Sequence, residues 1–436
     1  MRRRRPAALP AVREASFVRS GRPPLLRAAL FIYLPSMLMS MGQGMIIPAL
    51  PAIARTFNVS EALAVQVITS QLIGRTLSML PTGAIVDRFG VKPLMIGGAA
   101  LATVSTFTAA VAPSFTVIIV TQFFWGIGMS TWMFGREVAA VDMVQRSQRG
   151  RQMSALMGIG STGMAFGPAI GGVLTDLMGV RGLFFVYAGM SAVVLAISLL
   201  HREISRPSRR ASAPLFDLRA VAQIHPYYRA TYLVLFYSTF AQMIRGQVTN
   251  TMLPLYVQSQ LEYSASITGL LFTAAGVTTF LMIAPTGIIS DKLGRKWAAG
   301  PAAVFSTIAF IAFPLATNIP LLFAVMCLVG LANGLAMGAM TIYTYDVVPV
   351  HVRGQLQALR RGVGELGALT TPPSAAVIAS AFTPAMAFWF FAPLHVLSAV
   401  LIFGLARESL QGKRKPGAPS SQEIDEGASP VRPQDG

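Results

Sequence analysis

The chain has 436 residues, 53% of them hydrophobic and only 12% charged, with a formal net charge of +18. A soluble chain of this length needs far more charge to cover its surface, so the composition excludes an ordinary soluble domain. No phosphate-binding loop, metal-ligand cluster or nucleophile constellation is visible, which argues against an enzyme, a bound cofactor or metal, and direct drive by ATP.

Apolar runs long enough to cross about 30 Å of hydrocarbon as a helix predict about twelve spans. In chain order they cover 28–51, 62–86, 94–112, 115–141, 153–178, 181–201, 230–258, 264–290, 298–316, 320–346, 357–382 and 383–407. Segments this long, without alternating polarity, disfavour a membrane barrel. The expected organisation is a basic N-terminal tail (1–27), six spans (28–201), a polar linker (202–229), six more spans (230–407) and a disordered tail (408–436) rich in Pro, Gly, Ser and charge.

The excess of base raises nucleic acid as a partner, but the basic residues fall where membrane topology predicts them. Arg2 to Arg5 precede span one, Arg88 and Lys92 follow span two, Arg146, Arg149 and Arg151 follow span four, and Arg202, Arg206, Arg209 and Arg210 follow span six. Lys292, Arg295 and Lys296 follow span eight, Arg353, Arg360 and Arg361 follow span ten, and Lys413 to Lys415 follow the last. The alternate loops are nearly free of base, with only Arg55 and Arg181 standing out. Both termini and the linker are therefore expected in the cytoplasm, in a plasma (inner) membrane protein that acts as a monomer. Span one is too long for the apolar core of a cleavable signal. Cys327 is the one cysteine, so no disulfide can form within the chain.

The stretch Pro81-Thr82-Gly83-Ala84-Ile85-Val86-Asp87-Arg88-Phe89-Gly90-Val91-Lys92 returns as Pro285-Thr286-Gly287-Ile288-Ile289-Ser290-Asp291-Lys292-Leu293-Gly294-Arg295-Lys296, at an offset of 291 − 87 = 204 residues. Asp142 and Arg149-Gly150 recur as Asp346 and Arg353-Gly354 at the same offset, as do Gly126 and Gly330, Gly160 and Gly364, Gly163 and Gly367, and Pro168 and Pro372. Such a repeat marks two halves of one membrane machine. Gly83 and Gly287 permit close helix approach, Gly90 and Gly294 suit a left-handed turn, and Asp87 has Arg88, Lys92 or the next helix start as partners. The same charges can also serve only to fix topology.

The signature Gly-x-x-x-Asp-x-x-Gly-x-Lys/Arg, its second copy and the twelve spans resemble the major facilitator superfamily over nearly the whole chain. The resemblance implies an all-α membrane protein, with two pseudo-symmetric six-helix bundles that face each other around a central cavity and alternate between inward and outward openings. It also implies that Gly83, Asp87, Arg88, Gly90, Lys92 and Asp142, with Gly287, Asp291, Lys292, Gly294, Arg295 and Asp346, latch the cytoplasmic side in the outward-open state.

Span five carries Gly163-Met164-Ala165-Phe166-Gly167-Pro168-Ala169-Ile170-Gly171-Gly172. Its glycines make a smooth surface and Pro168 bends the helix, which suits a sliding contact between the bundles or an ordinary tight crossing. Gly163, Gly167, Pro168, Gly171 and Gly172 resemble the antiporter motif of the superfamily's drug–proton exporters, although Ser154 stands where that motif has a further glycine. Span four departs from those exporters as well. Gln122 replaces the arginine that precedes their Gly-x-Gly, here Gly126 and Gly128, and span one carries no acid.

Ionisable residues inside spans are costly and point to function. Glu137 and Glu365 are the candidates for proton carriers, against static pairing of Glu137 with an arginine and of Glu365 with Arg361, one turn away. Gln122, Met129, Met133, Arg136 and Glu137 share a face of span four at about 100° per residue, and methionines suit a permissive pocket or plain core filling. Arg75 and Arg245 either bind an organic anion or pair with Glu137 and Glu365. Tyr33, Gln43, Gln71, Trp125, Gln242, Gln247 and Asn250 complete the candidate cavity lining. The reading is a transporter of small molecules, with proton-coupled efflux of amphiphiles expected. An organic-anion importer or exchanger and a transport-inactive membrane sensor are the alternatives.

Overall fold

A computed structural model describes residues 29–142, 149–200, 218–337, 339–410, 419 and 423–424. The basic tail, most of the linker and most of the C-terminal tail lie outside the described residues, as do the side chains of Asp87 and Asp142 and all that concerns Gly83 beyond its helix. Among the described residues there is no strand, and eight helices are long and apolar enough to cross a membrane. One of them, Gly158–Leu200, is interrupted at Gly179 (φ 69°, ψ −175°) and makes two crossings, spans five and six.

Three further helices, Gln66–Phe89, Pro226–Leu255 and Arg353–Ala381, have 24, 30 and 29 residues, about 36 to 45 Å at 1.5 Å per residue. They carry spans two, seven and eleven. They are the most polar of the long helices, because Arg75, Arg245 and the Arg360-Arg361-Glu365 cluster interrupt their apolar runs. The total agrees with the twelve spans read from the sequence. Many large apolar side chains on the outer faces are exposed, among them Val104, Phe107, Leu281 and Val377. A water-soluble protein does not leave apolar surface on that scale, and a lipid-facing one does.

The two faces of the membrane end their helices differently. At the face without basic loops, Ser60, Ser264, Asn318 and Thr383 each accept the backbone N–H of the third helical residue and so cap spans two, eight, ten and twelve. Each cap contributes about 1 kcal/mol. At the basic face the chain turns through Gly90 (φ 87°) and Gly294 (φ 122°), conformations a side chain resists.

The 204-residue repeat is visible in the packing. A Cβ on Gly126 would lie 2.2 Å from the Gln71 carbonyl oxygen, and one on Gly330 would lie 2.5 Å from that of Ala275. Both members of each pair are displaced by the same offset. Thus spans four and ten lie backbone to backbone on spans two and eight. One buried apolar cluster fills the first half around Trp125, Trp132, Phe184 and Tyr187. The second half is built around Phe310, Phe313 and Phe388, with the last two rings stacked at 4.2 Å.

The halves meet along spans five and eight. At the face without basic loops, the Asp176 carboxylate accepts the N–H groups of Ser266 at 2.8 Å and Ala265 at 3.2 Å, at the start of the Ala265–Lys292 helix. Further along, a Cβ on Gly172 would lie 2.3 Å from the Ala265 carbonyl oxygen, and one on Gly269 would lie 2.2 Å from that of Pro168. The Thr273 hydroxyl then donates to the Ala165 carbonyl at 2.9 Å. Gln258 adds a second tie at the same face by donating to the Pro48 carbonyl at 2.7 Å. One turn beyond Ala165, towards the basic face, Ser161 and Thr162 line a cavity.

Three glycines of the span-five motif do not lie on this seam. Cβ atoms on Gly163, Gly167 and Gly171 would meet the backbone of Met37, Met41 and Met45 at 2.5, 2.3 and 2.3 Å. They seat span five on span one within one half, whereas Gly172 and the Pro168 carbonyl carry the contact between halves. The expected sliding surface between bundles is corrected to that extent.

Candidate functional site

A cavity of about 560 Å³ lies between the halves, walled by spans five, seven, eight and ten. A smaller lobe of about 120 Å³ adjoins it against spans two and four, and Ile47, Met164 and Asn250 line both. The larger lobe is mostly apolar, with Phe272, Phe280 and Met326 in its wall and the amides of Gln242, Asn250 and Asn333 set among them. This is the usual make-up of a small-molecule site, with many apolar contacts and a few placed polar groups.

The smaller lobe gathers Gln43, Gln71, Arg75, Trp125, Met129, Met133 and Gln247. Gln71 donates to Gln122 at 2.7 Å, and Trp125 meets the Tyr187 ring edge-on at 6.0 Å. Arg75 forms an ion pair of 2.5 Å with Glu365, and both side chains are close to 30% exposed. The pair joins span two of one half to span eleven of the other. Glu365 therefore pairs across the halves, and the expected partner Arg361, on its own helix, does not hold it.

Arg245 sits in span seven, only 2% exposed, and lines the larger lobe. Its guanidinium donates to Ser306 of span nine and to the Asn333 side chain of span ten. Its Nε–H is buried without a hydrogen-bond partner, and among the described residues no carboxylate lies within ion-pair distance of it. Of the two expected pairings for the mid-span arginines, the structure contains one, Arg75 with Glu365.

Other expected lining residues fall elsewhere. Gln122 is fully buried in the contact between spans two and four. Arg136 is 3% exposed, 5.6 Å from the Trp132 ring centroid, with Glu137 a loose 3.8 Å away. Tyr33 is half-buried at the basic end of span one. None of the three lines either lobe. Of the face of span four predicted to meet the cavity, Met129 and Met133 do so, with Trp125 beside them, while Gln122 and Arg136 turn into helix packing. Asn333 was not anticipated, although an amide inside a span is the signal that marks Asn250. Asp176 was not anticipated either.

In the second-half joint, Arg295 pairs with Asp291 at 2.6 Å and with Asp346 at 3.0 Å, and donates to the Ser290 hydroxyl. Burial acts to lower its pKa, but the hydrogen bonds and charges of Asp291 and Asp346 outweigh it and hold the guanidinium above its usual value. The Glu408 carboxylate accepts the N–H groups of Arg295 and Lys296 at the start of span nine, and Ser409 donates to Asp346. The C-terminal segment is thus seated on this joint as far as Leu410. A Cβ on Gly287 would meet nothing within 4 Å, so close helix approach is not its role here. In the first half, Arg88 lies over the ring of its neighbour Phe89 and Lys92 is half-buried. Lys292 is exposed.

The family model of the Major Facilitator Superfamily matches residues 32–243 and 231–433. The chain is 24% identical over 341 residues to the class C tetracycline resistance protein of Escherichia coli, covering 76% of this chain and 85% of that one. It is 28% identical over 172 residues to the multidrug resistance protein MdtL of Escherichia coli, covering 39% of this chain and 44% of the relative. Against the multidrug resistance protein Stp of Mycobacterium tuberculosis it is 28% identical over 171 residues, or 39% of this chain and 31% of that protein. Among solved structures, a D-xylose–proton symporter superposes with a TM-score of 0.72 at 16% identity, covering 90% of this chain and all of the other. A bacterial homologue of the lysosomal transporter Spinster, inward-facing and unoccupied, gives 0.71 at 16% identity over 91% of this chain and all of that one. These two share the fold.

Proposed function

The chain belongs to the major facilitator superfamily, and from that premise we propose that it exports amphiphilic small molecules by proton-coupled alternating access. Its membrane is the plasma (inner) membrane, its basic face and both termini are cytoplasmic, and it works as a monomer. The cavity then faces the cytoplasm, with the external face closed by the seam between spans five and eight. Relatives named for tetracycline and multidrug resistance support export of drug-like cargo.

The Arg75–Glu365 pair carries this reading. It lies at the edge of the smaller lobe and links the two halves. A proton arriving at Glu365 discharges the carboxylate and removes this one ionic tie between the halves, which couples protonation to the rocking motion. Glu137 is the second candidate carrier. Its side chain is 38% exposed and its arginine contact is long, so its proton moves without breaking a link between halves.

The test is flux in proteoliposomes under an imposed pH gradient, across cations, neutral compounds and anions. Uphill movement driven by protons is expected, with loss of coupling in Glu365→Gln and a smaller effect in Glu137→Gln. Retained uphill transport in both single variants and the double variant would remove both carboxylates from the mechanism. Binding without movement of any compound would favour a transport-inactive sensor.

A further inference from the structure

Arg245 is the one charged side chain on the wall of the larger lobe among the described residues. Its two hydrogen-bond partners in the protein, Ser306 and Asn333, are neutral and leave its charge uncancelled. Behind it a small pocket is walled by Ser238, Ser306, His395 and Ser398, again without a carboxylate. A buried cation of this kind costs several kcal/mol unless a counter-charge accompanies it. A neutral side chain would tie spans seven, nine and ten together at far lower cost. The cavity has the opposite of what a cationic drug requires, since a cation entering it would meet like charge in an apolar setting.

We propose that the cargo is an organic anion, an apolar body carrying one acidic group such as a carboxylate, enolate or sulfonate, and that Arg245 with Asn333 receives that group. This inference rests on the transport reading above and specifies its cargo. The geometry assigns a role to each residue. A guanidinium has no acceptor, so Asn333 must present its Oδ1 to Arg245. That fixes the amide with its Nδ2 donors available to the cavity. An incoming acid takes those donors and the field of Arg245, while Phe272, Phe280 and Met326 hold the apolar body. The Arg75 charge is already cancelled by Glu365, so Arg245 sets the sign of the site.

The experiment measures binding to the full chain in phosphatidylcholine nanodiscs by isothermal titration. Matched probes share one apolar body and differ only in the head: 2-naphthylacetate, 2-naphthylacetamide and 2-naphthylmethylammonium, with the same three heads on biphenyl and on a decyl chain. The anion should bind at least about tenfold more tightly than either companion on one or more bodies, the size expected of one charge-assisted contact. Arg245→Gln should erase that preference and Arg245→Lys should keep part of it. Asn333→Asp supplies an internal counter-charge and should erase it while preserving the apolar contacts, so the proposal stays testable if Arg245→Gln does not fold. Equal or tighter binding of the ammonium probes, a preference that survives Arg245→Gln or Asn333→Asp, or no binding of any anion would overturn it. Because the readout is binding, failure of uphill flux with the preference intact would sink the transport reading and leave Arg245 and Asn333 as an anion-binding site.

Discussion

Arg75 and Glu365 stand 290 positions apart in the chain and 2.5 Å apart in space, and they join the two halves at mid-span. Removing one partner leaves the other charge half-buried. Glu365→Gln or Arg75→Gln alone should lower stability by about 1–2 kcal/mol, less than a fully buried pair because both side chains remain partly wet. The double variant Arg75→Leu/Glu365→Leu should recover most of that loss. Thermal unfolding in detergent reads both, and a double variant worse than the sum of the singles would contradict the pairing.

Gly172 and Gly167 lie five residues apart and should respond differently to alanine. In Gly172→Ala the new methyl meets the Ala265 carbonyl of the other half at 2.3 Å, so the closed seam is strained by about 1–3 kcal/mol. The population should shift away from the conformation described, which spin-label distances between the ends of spans five and eight at the face without basic loops would register. In Gly167→Ala the clash is with Met41 in the same half. Stability should fall there with little change in those distances.

Asp176→Asn keeps the size of the side chain but removes the charge that caps span eight. The expected cost to the closed seam is about 0.5–1 kcal/mol, as for an exposed helix cap. The same distance measurement should show a smaller shift than Gly172→Ala, in the same direction.

At the second joint, Gly294 has φ 122° and a Cβ there would lie 2.2 Å from the Glu408 carboxylate. Gly294→Ala should therefore strain the turn and expel the Glu408 cap together, lowering stability by about 1–3 kcal/mol. Glu408→Ala should cost about 1 kcal/mol alone, and the combined variant should cost less than the sum of the two, because the clash is then gone.

The two halves and their joints were legible in the sequence because a repeat at constant offset needs no knowledge of contacts. The cavity was legible in kind, since polar and sulfur-bearing residues stood in otherwise apolar spans. Partners were not. The helical spacing of Gly163, Gly167 and Gly171 declares a smooth face without naming the helix that meets it, and that helix is span one. The arc of span four that holds Gln122 and Arg136 is wider than the strip that reaches the cavity. Arg361, one turn from Glu365, was the pairing that sequence makes visible, whereas Arg75 belongs to another span and another half. Asp176, near the end of span five, drew no notice because nothing local reveals that it caps a helix from the opposite half.

The closest approaches in the seam between spans five and eight are those of backbone carbonyls to the bare Cα atoms of Gly172 and Gly269, flanked by the Asp176 and Thr273 hydrogen bonds. The side chains of Phe272, Met326 and Asn333, which line the cavity, take no part in those closest approaches. If the proposed transport cycle holds, substitution at positions such as Phe272, Met326 or Asn333 should alter the cavity while leaving the Gly172 and Gly269 contacts unchanged. A protein divided in this way can change its cargo without relearning how to move.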